Sequence, residues 1–383
     1  MNPHSLTIWE SSQAGPVAAR IAIAGDFLPA GNLAISRDSN WRGMALPLDK
    51  FFEDVSVSFV NLESSLETYH LEPRQLYGLG QIVSAPESCL EYLAAIRSPA
   101  VGIANNHSYD FGQPGVLQTR EIASRRGMIP LGAGHTLADP PEVFVWQGPG
   151  DIRVGFWAAA KTAVELSTVR TPGVEPASAS RARRAAQALK RQGATICIAL
   201  IHAGCLRTSH PDPEDVRRLD SIARCGFDVV AASHSHRISG CRQAEAASGR
   251  PSFCFYGLGT LVSGYVSAPA EREGLVVNVG LDASGRLARV EVRPVVLDET
   301  GFGTIPTTEA GARILSRFQH LSRELIDGSY EERFYCDMSQ GLLRLYARDI
   351  RSAYQHAGFK GLVRKMRRVR IRHVRRLVHK VVA

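Results

Sequence analysis

Val101-Gly102-Ile103-Ala104-Asn105-Asn106-His107-Ser108-Tyr109-Asp110-Phe111-Gly112 reads as an apolar strand, Val101 to Ala104, followed by amide, imidazole and carboxylate groups before a helix-like segment opens near Pro114. In open α/β sheets, ligands bind beyond the carboxyl ends of the strands. By that rule this loop is the floor of an active site. Taken alone it reads better as a turn capped by Asn105 and Asn106 around a satisfied histidine. The loops on either side of it in the chain decide between the two.

Towards the N-terminus, the short apolar run Arg20 to Gly25 stops at Asp26, and Val55 to Val60 ends at Asn61-Leu62-Glu63. Each delivers a carboxylate just past a strand. Ala85 to Ile96 has helical spacing, and Gly115 to Arg125 reads as the helix returning to a strand over Met128 to Leu131, a βαβ rhythm. Glu142 to Val145 and Arg153 to Ala159 form a hairpin around Gly148-Pro149-Gly150-Asp151. Ala177 to Gln192 is a surface helix, and the strand Thr195 to Ile201 ends in His202-Ala203-Gly204. The helix Pro213 to Cys225 and the strand Phe227 to Ala231 lead directly to Ser233-His234-Ser235-His236. Ser252 to Leu258 runs into Gly259-Thr260, and two alternating strands follow, Gly274 to Val279 and Leu287 to Leu297, with a turn at Asp282 to Gly285.

Asp26, Asn61, Glu63, Asn106, His107, His202, His234 and His236 thus all follow apolar strands. Oxygen and imidazole donors suit hard or borderline divalent cations, and two neighbouring cations need a carboxylate able to bridge them. A lone His-x-His is no more than a polar loop. Chemistry-bearing groups at five strand ends are a site.

The chain has 383 residues, 44% hydrophobic and 21% charged, which suits a soluble globular domain of roughly 250–300 residues with an appendage. There is no run of 18 uncharged apolar residues, and Met1 to Pro16 has neither a basic nor an apolar signal region. Seven cysteines lie scattered without a Cys-x-x-Cys pair, as free thiols in a reducing compartment would. The expectation is a cytoplasmic protein. The net charge is +8, but residues 341–383 carry thirteen Lys and Arg against the single acid Asp349, a net of +12, which leaves −4 for residues 1–340.

Gly25-Asp26, Asn61-Leu62-Glu63, Ala104 to Gly112, His202-Ala203-Gly204, Cys225 to Val230, Ser233 to His236 and Tyr256 to Thr260, in this order, resemble the capsule-synthesis protein CapA family over residues 18–298. That family is associated with bacterial poly-γ-glutamate and capsule biosynthesis and is similar in fold to the calcineurin-like metallophosphatases. The resemblance implies an α/β fold, a four-layer α/β/β/α sandwich over residues 18–300; the remainder, 301–383, lies outside it and reads from its spacing as a helical extension. The resemblance further implies a centre for two divalent cations (Mn, Zn, Mg or Fe). Asp26 and His236 would hold one, Asn106, His202 and His234 the other, and Glu63 would bridge them. His107 would protonate a leaving group or steady the transition state, Asp110 would orient it, and a metal-bound hydroxide would be the nucleophile.

Two roles stay open: Asn61 is a ligand or stands behind the ligands, and Asp110 is the partner of His107 or the cap of the next helix. Leu28 stands where the superfamily's first motif has a histidine. Ala203, Leu206, Ala232, Ser235 and Thr260 replace the family's usual Trp, Glu, Gly, Pro and Asn. The metal donors survive while the neighbours that shape substrate contacts differ.

Ala310 to Leu325 and Gly341 to Gln355 have helical spacing. Beyond Gly361 an apolar stripe, including Leu362, Met366, Ile371, Val374 and Leu377, is interleaved with Lys and Arg. Such a helix suits an anionic membrane surface, at the inner face of the membrane for a cytoplasmic protein, or a capsular polymer, and equally a solvated helix docked on its own protein. Nucleic acid ranks last, since no recognised binding fold accompanies the charge. Two functions follow: a metal-dependent hydrolase or transferase acting on a phosphoester or γ-linked amide of a capsule polymer or precursor, and a non-catalytic metal-binding accessory subunit of a membrane-associated polymer assembly.

Overall fold

Strands of two to fifteen residues, interspersed with amphipathic helices, form two large sheets. The computed structural model describes residues 2–31, 33, 39–73, 82–161, 166–245, 250–266 and 268–338. The helix expected over Gly341 to Gln355 and the basic stretch beyond Gly361 lie outside the described residues. The chain divides into a compact unit, Met1–Gly328, and a second, Ser329–Ala383.

In chain order the principal strands are β1 (Leu6–Glu10), β2 (Val17–Gly31), β3 (Val57–Leu62), β4 (Ala100–Gly102), β5 (Ile129–Leu131), β6 (Phe144–Gln147), β7 (Arg153–Ala160), β8 (Ile196–His202), β9 (Val229–Ser233), β10 (Cys241–Glu245), β11 (Pro251–Phe255), β12 (Thr260–Gly264), β13 (Glu273–Asp282), β14 (Leu287–Leu297) and β15 (Gly303–Thr304). The long helices are α1 (Gly112–Arg125), α2 (Ala179–Arg191), α3 (Pro213–Arg224) and α4 (Thr308–Asp327).

The first sheet has the order β1-β14-β13-β2-β3-β4-β5, with β12 added along β2 and β15 along β14; the second is β10-β11-β9-β8-β7-β6. The centre of each sheet is parallel, β2 to β5 in one and β7, β8, β9 and β11 in the other. Parallel strands are covered on both faces, which is why these segments read as continuous apolar runs. The sheets face one another through pairs such as Phe59 and Phe156, ring centroids 5.0 Å apart. Burying each such ring contributes roughly 1.5–3 kcal/mol. A Cβ on Gly102 would lie 3.3 Å from that of Ala158, so small residues let β4 and β7 close together just beneath the loops of interest. Helix α1 packs on β5 of the first sheet, while α2 packs on β7 and α3 on β9 and β11 of the second.

Three departures from the sequence reading have physical causes. β2 does not stop at Gly25. The ladder passes from β13, paired up to Ala24, to β12, paired from Asp26, so the strand continues to Gly31. A Cβ on Gly25 would come within 2.2 Å of the Gly259 carbonyl, so only glycine admits this crossing. The register of β2 against β3 shifts between Ala24 and Asp26, and that irregularity re-aims the Asp26 carboxylate. The helix expected over Ala85 to Ile96 is shorter: Pro86 precedes a 3₁₀ turn, Glu87–Cys89, and only Leu90–Ala95 is α-helical. The edge strands β1 and β10 went unread, being short and of mixed polarity.

Helix α4 is capped by Thr307, whose Oγ accepts from Ala310 N, and ends at Gly328 with φ +86°. Among the described residues no helix is long and apolar enough to cross a membrane, and no cysteine forms a disulfide.

Candidate metal centre

Where parallel strands end, their last residues and the loops beyond them converge. Glu63 follows β3, Asn105 and Asn106 lie three and four residues past β4, His202 closes β8 and His234 follows β9. Asp26 reaches the same point from inside β2. Two groups form. Glu63, His202 and His234 offer ligand atoms all within 4.8 Å of one another, as do Asp26, Glu63 and His236. Asn106 Oδ1 joins the first group at 2.6 Å from His202 Nε2. All six residues read as metal donors therefore meet, with Glu63 common to both groups.

The backbone of the His234–His236 loop is held in unusual conformations, φ +122° at His234 and +55° at His236, which cost free energy outside glycine. The result is that His234 N–H donates to Asp26 Oδ2 at 3.0 Å while His236 Nδ1 sits 3.2 Å from the same oxygen. The His202 and His234 rings meet edge to face with centroids 4.6 Å apart.

Charge is unbalanced in this enclosure. Burial works against ionised Asp26, but contacts with His236 and His202 outweigh it and hold the carboxyl below its ordinary range. Burial first, and then the charges of Asp26 and Asp110, push Glu63 well above its own. Burial also drives His202 well below its usual value and His234 down to about 3, aided in each case by neighbouring histidines, so both rings are neutral and available as ligands. Glu63 is fully buried, yet neither carboxylate oxygen receives a hydrogen bond; His202 Nε2 is 3.4 Å away. His234 Nδ1 is likewise buried without a hydrogen-bond partner. Orphaned, inward-facing donors of this kind fit divalent cations, which satisfy carboxylate and imidazole together.

The remaining residues support or flank the donors. His107 Nδ1 lies 2.8 Å from Asp110 Oδ2, which also accepts from Val83 N at 2.8 Å. Asp110 does not cap the following helix, whose N-cap residue, Phe111, makes no side-chain bond. Asn61 lies within β3 and points its amide nitrogen at Asp26 Oδ1, 2.7 Å away, and at His202 Nδ1, 3.2 Å away, so it stands behind the ligands.

Asn105 was missed as a functional residue. Its Nδ2 donates to Asn61 Oδ1 and Leu62 O, and its Oδ1 accepts from His107 N, so one side chain joins the strand carrying Glu63 to the His107 loop. The tandem Asn-Asn was the available signal; only the fold shows that its first member faces back and its second forward.

Residues 20–265 match the family model described as bacterial capsule synthesis protein PGA_cap. A probable polyglutamine synthesis accessory protein of Mycobacterium tuberculosis is 31% identical over 221 residues, 53% of this chain and 57% of that protein. The PGA biosynthesis protein CapA of Bacillus subtilis is 21% identical over 258 residues, 66% of this chain and 64% of its own length. The chain thus spans less than two thirds of the curated relatives it matches. Among solved structures, a 5'-nucleotidase precursor from Thermus thermophilus aligns with 79% of this chain and 58% of its own at a TM-score of 0.46 and 14% identity. The calcineurin-like phosphoesterase YfkN from Bacillus subtilis aligns with 79% of this chain and 97% of its own at 0.44 and 14%.

Proposed function

The chain belongs to the bacterial capsule synthesis protein PGA_cap family, and from that premise we propose that it is a metal-dependent hydrolase or transferase acting on a phosphoester or γ-linked amide of a capsule polymer or its precursor. The observation that carries this reading is Glu63, a fully buried carboxylate beside a second carboxylate, with both oxygens undonated. A chain keeps such an arrangement where cations occupy it, because a buried acid without donors beside a second acid is otherwise costly.

Asp26, Glu63 and His236 would hold one cation, and Glu63, His202, His234 and Asn106 the other. Bound there, divalent cations supply Lewis acidity and lower the pKa of water. The rest of the work falls to side chains. Asp110 faces His107 Nδ1, which leaves Nε2 to carry a proton to the leaving group. Asn61 and Asn105 keep Asp26, Glu63 and the His107 loop in register.

The test is metal analysis of the purified chain alongside turnover of p-nitrophenyl phosphate and of poly-γ-glutamate with added Mn²⁺, Zn²⁺ or Mg²⁺. Two bound metals per chain and metal-dependent turnover, lost in His107→Ala with metal content intact, is the expected result. Absence of metal, or turnover indifferent to it, overturns the reading. Leu28, two residues past Asp26, packs in an apolar cluster with Ala30 and Val83 and gives the Asp26 side no further donor. That favours a second reading, a metal-binding accessory subunit without catalysis, which bound metal with no turnover would support. In either case the basic sequence after Gly361 is proposed to attach the protein to an anionic membrane face, and deleting residues 361–383 should release it from anionic vesicles.

A further inference from the structure

We infer that Arg207, with Arg237 beside it, forms a docking point for an anionic group of the substrate on the rim of the candidate metal centre. The inference rests on the proposed function in taking that centre as the place where the substrate reacts.

Both arginines are tied to the loop that carries the late histidines. Arg207 N–H donates to the carbonyl of Ser235, between His234 and His236, at 2.9 Å. Arg237 follows His236 directly, and its N–H donates to Ser235 Oγ at 3.3 Å. Arg207 is held at φ +65°, a conformation non-glycine residues seldom adopt, so its direction is set by the loop. Beyond it the loop is braced from α4: Arg317 Nη2 donates to Ser209 Oγ at 2.8 Å, and His210 Nε2 lies 2.9 Å from Glu324 Oε2.

Glu271 lies between the two guanidinium groups and is only 4% exposed. Its Oε1 is 3.4 Å from Arg207 Nε and 3.9 Å from Arg237 Nη2. Glu271 thus faces both guanidinium groups through one oxygen. Arg207 faces Glu271 with Nε, and its side chain is 60% exposed. Among the described residues its terminal nitrogens have no hydrogen-bond acceptor, and their fork geometry suits a carboxylate or phosphate. The nearby cation Lys161 is engaged instead with Asp215 at 2.6 Å and Asp212 at 3.8 Å.

Asp26 and Glu63 line the centre itself, and the cations proposed there would take up the anionic group at the reacting bond. An arginine on the rim selects substrates that carry a second anionic group next to the bond that reacts. The inferred substrate is therefore multiply anionic, its docked group a carboxylate or a phosphate.

The experiment is calorimetric titration of the full chain with a γ-linked tetraglutamate and with inorganic phosphate, in EDTA and again with Mn²⁺. Arg207→Ala should weaken the bound anion on the order of tenfold, Arg207→Lys less, and Arg184→Ala, an exposed arginine on α2, not at all. A loss confined to tetraglutamate identifies a carboxylate, and one confined to phosphate a phosphoester. Unchanged affinity in Arg207→Ala, or a wild type that binds neither anion, overturns the inference. Arg207-dependent binding in a protein that takes up no metal keeps the inference and removes the hydrolase reading. Metal-dependent turnover with binding indifferent to Arg207 does the reverse.

Discussion

Asn61 donates through Nδ2 to Asp26 Oδ1 at 2.7 Å, and the same nitrogen lies 3.2 Å from His202 Nδ1, so one neutral amide aligns a donor from each sheet. Replacing it with Asn61→Leu leaves a buried carboxylate oxygen without this bond. The cost should be about 1–3 kcal/mol in urea denaturation of the EDTA-treated protein. Loss of a residue that orients metal ligands should also weaken Mn²⁺ binding by roughly 10–100-fold in calorimetry. An unchanged Mn²⁺ affinity would reduce Asn61 to packing.

Glu63 is the residue whose behaviour should differ most between metal-free and metal-loaded protein. Because its folded pKa is raised, its contribution to metal-free stability is present below the unfolded value of 4.5 and is lost as pH rises. Glu63→Gln should remove that slope and leave metal-free stability near neutral pH equal to or above that of wild type. It should also abolish the stabilisation that metal confers, about 2.7 kcal/mol at a hundredfold excess over Kd. Thermal melts with and without Mn²⁺ at pH 5 and 8 test both parts, and a Gln variant still stabilised by Mn²⁺ would rule out the bridging role.

His107 sits outside the donor groups, at 2.8 Å from Asp110. His107→Ala should lower kcat by about 10²–10⁴, the range for a proton-transfer group, with metal content unchanged by mass spectrometry. Asp110→Asn should produce a smaller fall, since it keeps an acceptor for Val83 N but loses the charge facing the imidazole. Equal loss of metal and activity in His107→Ala would make it a ligand instead.

The donors were legible because parallel strands buried on both faces read as apolar runs, so a polar group at the end of one stands out; Glu63, His202 and His234 follow that rule. Asp26 was legible as a residue and misplaced as a position. Its strand continues because β12, from a distant part of the chain, takes up the ladder after the Gly25–Gly259 approach. Asn105 was illegible as a brace, since facing Asn61 and Leu62 depends on how β4 lies against β3. The choice left open at Asp110 needed the position of Val83, which local sequence does not supply.

Helix α4 reaches the loop after His202 through two pairs, Arg317 with Ser209 and His210 with Glu324, and Arg317 Nη1 also holds Glu273 at 2.9 Å. If these contacts position the loop, Arg317→Ala should cost about 1–3 kcal/mol and raise KM more than it lowers kcat, because it loosens the rim and spares the donors. A fall in kcat alone, with KM unchanged, would assign α4 to the reacting groups instead.

Away from the centre, His135 is enclosed by Glu175, 2.6 Å from Nε2, and Glu142, 3.4 Å from Nδ1, while Arg181 and Arg120 pair with those acids. Burial alone would push the imidazole down, but the two carboxylates outweigh it and hold it up at about 9; Glu142, despite its own burial, is held down at about 2 by His135 and Arg120. The signs follow from linkage. A raised histidine stabilises fully below its unfolded value of 6.5, and that contribution fades as pH climbs through 9. A lowered glutamate stabilises fully above its unfolded 4.5, and its contribution fades as pH falls towards 2. The cluster therefore contributes most between pH 4.5 and 6.5, on the order of 2–3 kcal/mol for the histidine. Urea denaturation of wild type and His135→Gln should show the largest gap near pH 6 and a gap that closes towards pH 9. A gap that is flat with pH would mean that the ring is neutral in the folded protein and that the carboxylates do not hold its proton.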